Sequence, residues 1–144
     1  MRAAHAIYRA NGGTWPLKIV NGVSPDELGA FYAAADCFVL ASLYEPWGVV
    51  LVEAAAAGLP IICTDKCGAR YEVVKENGIV VPAGDAAALA EAMEKMGNGE
   101  SASAKATADK RGMGNGELGR ELAKPYSCEA WAKRVVGIAD RLMS

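Results

Sequence analysis

Short uninterrupted apolar runs punctuate the chain at 37–40 (Cys-Phe-Val-Leu), 60–63 (Pro-Ile-Ile-Cys) and 79–81 (Ile-Val-Val). Each is bounded by turn residues. A run of this length without polar interruption is the pattern of a strand buried on both faces. Leu17-Lys18-Ile19-Val20, after Trp15-Pro16, reads as a further short strand. Strands are therefore predicted near 17–20, 37–41, 60–64 and 78–82. Helical signals fill the intervals. Residues 3–10 read as a short helix stopped by Asn11-Gly12-Gly13. Ser24-Pro25-Asp26-Glu27 is a helix start, with Ser24 as N-cap, Pro25 at the first helical position and Glu27 closing a capping box. Leu28, Phe31 and Tyr32 follow on one face, and Asp36 ends the helix. A second helix spans about 48–57, with Gly58 as C-cap and Pro60 at the exit. Residues 70–75 form a short helix closed by Asn77-Gly78, and Asp85 caps another that runs to about Met96.

Strand and helix alternating through short connections is the signature of a parallel sheet wrapped by helices. With the handedness rule for crossovers, the expected fold class is α/β: a Rossmann-like parallel sheet with helices on both faces, half of a doubly wound fold. This domain covers 1–96. The character then changes. Met-Gly-Asn-Gly-Glu occurs at 96–100 and again at 113–117, flanking a Ser/Ala/Lys-rich stretch. A unit this short lies below the roughly 20-residue minimum of a solenoid repeat, so 97–119 reads as a flexible linker containing a local duplication. Residues 120–144 form a C-terminal helical segment in which Trp131, Val135, Ile138 and Leu142 recur at helical spacing. Such a stripe is a packing face.

Composition narrows the function classes. The 144 residues suit one ordinary domain, and 52% hydrophobic content suffices for a core. A net charge of -2 argues against a nucleic-acid binder but not against a small anion, which backbone amides can hold. No apolar run approaches the roughly 20 residues that span a bilayer, and Met1-Arg2-Ala3-Ala4-His5 lacks a signal-peptide core, so a cytoplasmic protein is expected. The four cysteines match neither a disulfide framework nor a zinc motif. A metal site from His5, Cys63 and Cys67 is far less expected than buried or loop thiols, and no metal or cofactor is assigned.

The chemistry concentrates in Glu45-Pro46-Trp47-Gly48-Val49-Val50-Leu51-Val52-Glu53. This segment joins the carboxyl end of a buried strand to a helix, the edge at which open α/β sheets bind ligands. With the helix starting at Gly48, the amides of Gly48, Val49 and Val50 lack intrahelical acceptors and face an anion with the positive end of the helix dipole. Glu53 lies between one and two turns further on, so its carboxylate can reach a second polar part of the same ligand. Two carboxylates flanking a phosphate-binding helix start suit a sugar diphosphate nucleoside. Read from the residues alone, Glu45 could equally be an ordinary loop carboxylate and Glu53 a solvated one. Glu53, however, stands among Leu51, Val52 and alanines, an uncommon place for a surface acid.

This stretch resembles the Ser-x-x-Glu-Pro-Phe-Gly-x-x-x-x-Glu-Ala-x-x-x-Gly-x-Pro pattern of family 4 glycosyltransferases of the GT-B fold. The chain reads Ser42-Leu43-Tyr44-Glu45-Pro46-Trp47-Gly48, then Glu53-Ala54 and Gly58-Leu59-Pro60. The likeness extends upstream through 22–28 and Tyr32-Ala33-Ala34-Ala35-Asp36, and downstream through Asn77-Gly78-Ile79-Val80-Val81-Pro82 and Asp85, covering about 17–96. It implies the donor-binding, C-terminal half of a retaining enzyme that transfers a hexosyl group from a nucleotide sugar to a saccharide or lipid acceptor. It places Glu45, the catalytic candidate, on the donor sugar, the amides of Trp47, Gly48, Val49 and Val50 on sugar and diphosphate, and Glu53 on the ribose. Ser42, at the strand end, and Arg70, at the next helix start, are weaker candidates; a hydroxyl bonded within its own loop and a solvated arginine are the blander readings.

The chain also departs from that family. No Gly-Arg-x-x-x-x-Lys-Gly segment neutralises the diphosphate; Arg2, Arg9 and Lys18 stand in other contexts. The Gly-rich strand end that lines the base pocket is missing, since Val20 runs straight into Asn21-Gly22. No acceptor-binding domain falls within the resemblance. The expectation is a truncated chain, inactive alone, whose partners are a nucleotide sugar and either an acceptor-binding domain on another chain or a second copy. The alternative is a non-catalytic sugar-nucleotide-binding or interaction module, or an unproductive fragment, that retains the fold.

Overall fold

The computed structural model describes residues 1–20, 22–98, 120, 121, 123 and 124. The element order is α1 (Arg2–Ala10), α2 (Pro25–Ala34), β1 (Phe38–Leu40), α3 (Val49–Ala56), β2 (Ile61–Thr64), α4 (Arg70–Val73), β3 (Gly78–Val81) and α5 (Ala86–Gly97). The three strands form one parallel sheet in the order β1-β2-β3, with Phe38 opposite Ile61 and Ile61 opposite Gly78. The expected α/β class, a Rossmann-like parallel sheet covered on both faces, is the architecture found.

The strand period of two divides the core into two layers. Ile61 and Cys63 of β2, with Phe38 and Leu40 of β1, face a cluster that takes in Tyr32 of α2, Leu51, Ala54 and Ala55 of α3, and Val73 of α4. Ala123 joins this layer. Ile62, with Val39, Ile79 and Val81, faces the opposite cluster, built from Ala4 and Tyr8 of α1 and Leu89, Ala90, Ala92, Met93 and Met96 of α5. All four β2 residues are buried, which is why their run carries no polar alternation; its one hydroxyl, Thr64 Oγ1, donates to the Ser42 carbonyl at 2.6 Å. Helix α1 packs against α5, and the Tyr8 hydroxyl accepts from the amides of Thr14 and Trp15, both at 3.1 Å. Helix α5 begins as its sequence signals, with the Asp85 carboxylate accepting from the Ala88 amide at 2.9 Å.

Several local expectations change. Leu17–Val20 forms no strand: Ile19 and Val20 are each 38% exposed, and no described ladder includes them. A strand needs a neighbour for its amides and carbonyls, and four apolar-leaning residues supply only one side of that requirement. Ser24 is the N-cap of α2, but its side chain caps no amide; its hydroxyl donates to the Glu27 carboxylate at 2.8 Å, so the reciprocal capping box does not close. Helix α2 ends at Ala34, before Asp36, and Phe31 is exposed while Tyr32 is buried. Helix α4 ends at Val73 rather than at residue 75, where the buried Asn77 takes over: its side chain accepts from the Lys75 amide and donates to the Val73 carbonyl. The linker (all but 97 and 98), Cys128 and the Trp131–Leu142 stripe lie outside the described residues.

Burial pushes the thiols of Cys37 and Cys63 up to about 12; Asp36 adds to the shift at Cys37, while Arg70 opposes it at Cys63 and is outweighed. The Tyr32 phenol is raised as well, by burial first and then by its bond to Glu53. These groups hold their protons more tightly folded than unfolded, so their contribution to stability is complete below the ordinary thiol value of 9.0 and is lost as pH rises through the raised values. Urea unfolding midpoints should therefore be insensitive to these groups up to about pH 9 and fall towards pH 12, and Cys63→Ala should flatten the fall; a midpoint that rises over that window contradicts the burial of these protons.

Candidate functional site

The motif loop lies just beyond the carboxyl ends of β1 and β2 and continues their pairing. Glu45 forms a parallel bridge with Cys67. The Glu45 amide donates to the Lys66 carbonyl at 3.1 Å, the Gly68 amide donates back to the Glu45 carbonyl at 3.0 Å, and the Ala69 amide donates to the Trp47 carbonyl at 2.7 Å. The two loops meet so closely that a Cβ at Gly68 would stand 2.0 Å from the Pro46 carbonyl oxygen. Only a residue without a side chain permits this contact.

The loop ends in Gly48, which caps α3 with φ 89° and ψ 64°, a left-handed conformation that suits glycine. No side chain caps α3. The first amide of this turn with a backbone acceptor is that of Leu51, which donates to the Gly48 carbonyl at 2.9 Å. The amides of Gly48, Val49 and Val50 meet no acceptor among the described residues. The carbonyls of Glu45 and Trp47 are meanwhile occupied by the facing loop. The start of α3 therefore presents donors with two neighbouring acceptors already engaged, which favours an anion. Trp47 is 40% exposed and Val49 60% exposed, so both side chains reach solvent around these amides.

The two carboxylates sit differently. Glu45 is half-buried, and its Cγ lies 3.2 Å from where a Gly48 Cβ would be, so the side chain rests against the start of α3. Glu53, also half-buried, accepts from the Tyr32 hydroxyl at 2.9 Å. Ser42 holds the loop through its carbonyl, which accepts from Thr64, rather than through its hydroxyl. Arg70 is partly buried; its guanidinium donates to the Cys67 carbonyl at 2.8 Å and to the Tyr71 hydroxyl, and lies over the Tyr71 ring. It braces its own loop. His5 bonds the Trp15 carbonyl in the α1 layer, on the opposite side of the sheet from Cys63 and Cys67. No group of three or more His, Cys, Asp or Glu side chains able to hold a metal ion occurs among the described residues. A shallow concavity of about 190 Å³ lies away from the motif, between β3 and α5, and is lined by Val80, Pro82, Glu91 and Lys95 among others.

Two contributors escaped the sequence reading. Gly68 is visible there only as part of a loop; its need for a bare Cα comes from Pro46, 22 positions earlier. Tyr32 reads as one apolar member of a helix face, and nothing local marks its hydroxyl as the partner of Glu53.

The family of glycosyl transferases group 1 matches residues 16–112, and the chain belongs to it. It is 39% identical over 72 residues to a lipopolysaccharide core biosynthesis glycosyltransferase of Rhizobium meliloti, covering 49% of this chain and 21% of that protein. It is 34% identical over 93 residues to a glycogen synthase of Mycobacterium tuberculosis, covering 64% and 21%. Among solved structures, sucrose-phosphate synthase from Thermosynechococcus elongatus superposes over 99% of this chain and 34% of its own length, with a TM-score of 0.71 and 28% identity. The fold is thus one half of a GT-B glycosyltransferase. The chain spans about a fifth of these curated relatives.

Gly68→Ala should separate the motif loop from the Cys67 loop, because the new methyl meets backbone rather than a flexible side chain. The expected loss is about 1–3 kcal/mol, the range for overpacking a tight contact, measured by urea unfolding. Amide exchange should show lost protection at Glu45 and Ala69, with β2 unchanged; full protection at both would mean the loops are not held by this contact.

Proposed function

We propose that this chain is the nucleotide-sugar donor-binding half of a retaining glycosyltransferase of the family 4 type, which transfers a hexosyl group to a saccharide or lipid acceptor only in company with an acceptor-binding domain. The supporting observation is the start of α3: a left-handed Gly48 cap, no side-chain cap, and open amides at Gly48, Val49 and Val50 between two carboxylates. In this reading those amides and that of Trp47 hold the sugar and diphosphate. Glu45, lying against the same turn, accepts from hydroxyls of the transferred sugar beside the reacting carbon and is the catalytic residue. Glu53, further along α3, accepts from the ribose. No resident cofactor is invoked, since the nucleotide sugar is itself the substrate.

The isolated 144-residue chain binds its donor weakly and transfers nothing in this reading. Arg70 is engaged by Cys67 and Tyr71 and Lys66, in the facing loop, by Asp65, which leaves the diphosphate mainly to neutral amides. Each charge-assisted bond forgone is worth about 1.5–3 kcal/mol, or one to two decades in affinity. Transfer also needs the acceptor held against the donor carbon, a proximity that a donor site alone does not supply. A cytoplasmic location, supported by the free thiols of Cys37, Cys63 and Cys67, and an acceptor domain on another chain or a second copy complete the proposal.

Calorimetric titration with UDP-, ADP- and GDP-linked hexoses, beside Glu53→Ala and a transfer assay, tests it. Binding weaker than micromolar is expected for at least one donor, weakened about tenfold more by Glu53→Ala, the loss of one good hydrogen bond to a charged group, with no turnover. Sub-micromolar affinity or steady transfer by the purified chain overturns the inactive half; binding indifferent to Glu53→Ala overturns the role of that carboxylate.

A further inference from the structure

Glu53 does not stand alone at its site. The hydroxyl that it accepts belongs to Tyr32, 21 positions earlier on α2. Tyr32 is only 9% exposed. Its ring meets Phe38 of β1 edge-on, with centroids 5.8 Å apart and planes at 69°. The hydroxyl is therefore fixed by the sheet rather than by the surface of a mobile helix. Burial and the neighbouring carboxylate both keep it protonated, so it remains a donor.

The consequence lies in what a glutamate side chain is without such a partner. Three rotatable bonds separate its carboxylate from the backbone, and on a helix surface it populates several rotamers. Binding a ligand would then have to order it. A bond from a rigid phenol does that ordering beforehand. It engages Oε2, and Oε1 keeps its lone pairs open among the described residues. A carboxylate with one oxygen tethered and the other open, on a fixed plane, suits two adjacent hydroxyls better than a freely rotating one.

We propose that Tyr32 is a positioning residue, which holds Glu53 so that its open oxygen accepts from the vicinal hydroxyls of a ribose. This rests on the reading of Glu53 as the ribose-accepting carboxylate. Tyr32 touches no ligand itself; it acts through Glu53. The bond also ties α2 to α3, so a purely structural role would give a different signature: loss of affinity for every ligand alike.

The experiment compares the full chain with Tyr32→Phe, Glu53→Ala and the double variant, titrated by calorimetry or ligand-observed NMR with UDP, ADP and GDP and with their 2′,3′-dideoxy counterparts. The wild type should prefer the ribose form of at least one nucleotide by about tenfold, the worth of one good hydrogen bond to a charged group. Tyr32→Phe should cut that preference to about threefold, a fraction of the same bond, and leave dideoxy binding unchanged. Glu53→Ala should abolish the preference, and the double variant should match Glu53→Ala. Full preference in Tyr32→Phe, with none in Glu53→Ala, overturns the positioning role and leaves the ribose reading standing. Equal weakening of both nucleotide forms by Tyr32→Phe makes Tyr32 structural and also overturns it. A wild type with no preference, or no binding, removes the ribose reading and this inference with it. Should Tyr32→Phe fail to fold, the wild type still decides: the Tyr32 Cζ resonance of 13C-labelled chain should shift with the ribose nucleotide and not with its dideoxy form, and an unmoved resonance overturns the coupling.

Discussion

Ile61, Ile62, Cys63 and Thr64 are shut off from water on both faces and hydrogen-bonded along both edges, and the described elements are arranged around that fact. A short strand with two apolar faces must be sandwiched, so helices collect on each side: α2, α3 and α4 on one, α1 and α5 on the other. Parallel pairing then brings the carboxyl ends of β1 and β2 to one edge. The loops that leave those ends, 42–48 and 65–69, lie side by side there because their strands do.

The candidate site is consequently a product of backbone more than of side chains. Three loop-to-loop hydrogen bonds and the bare Cα of Gly68 set the path of Glu45 through Trp47. Gly48 then turns the chain into α3 in a left-handed conformation, with no side chain capping the first turn. Side chains enter second: Glu45 folds against that turn, and Glu53 is reached by Tyr32 across the gap between two helices. Of the two cations beside this loop pair, Arg70 is spent on bracing it, and Lys66, within it, pairs with Asp65.

What could be read beforehand follows how local each cause is. The runs at 37–40, 60–63 and 79–81 announced strands because burial on two faces removes polar residues from consecutive positions. Asp85 announced its helix because a cap acts three residues away. Leu17–Val20 has equal strand character, but pairing is a property of a neighbour, and its composition says nothing about one. Ser24 and Glu27 have the right spacing for a capping box, yet their side chains bond each other instead of the backbone, a choice of rotamer that spacing does not encode. The two acids of the motif were legible because they share nine residues with the helix start between them. The phenol that holds the second acid, and the carbonyl that forbids a side chain at residue 68, act across some twenty residues and belong to the folded chain alone.

The division of the core into two layers has an evolutionary corollary. Tyr32, Glu53 and Arg70 all come from helices of one layer, while α1 and α5 lend the motif no side chain. Replacements among Ala4, Leu89, Met93 and Met96 change how firmly the sheet is backed without re-aiming a group at the motif. Replacements among Phe38, Leu51 and Val73 shift the platform on which those groups stand. Selection on ligand geometry should therefore constrain the two sides of one sheet unequally, with the α1–α5 side free to diverge at constant bulk and the other side held to shape.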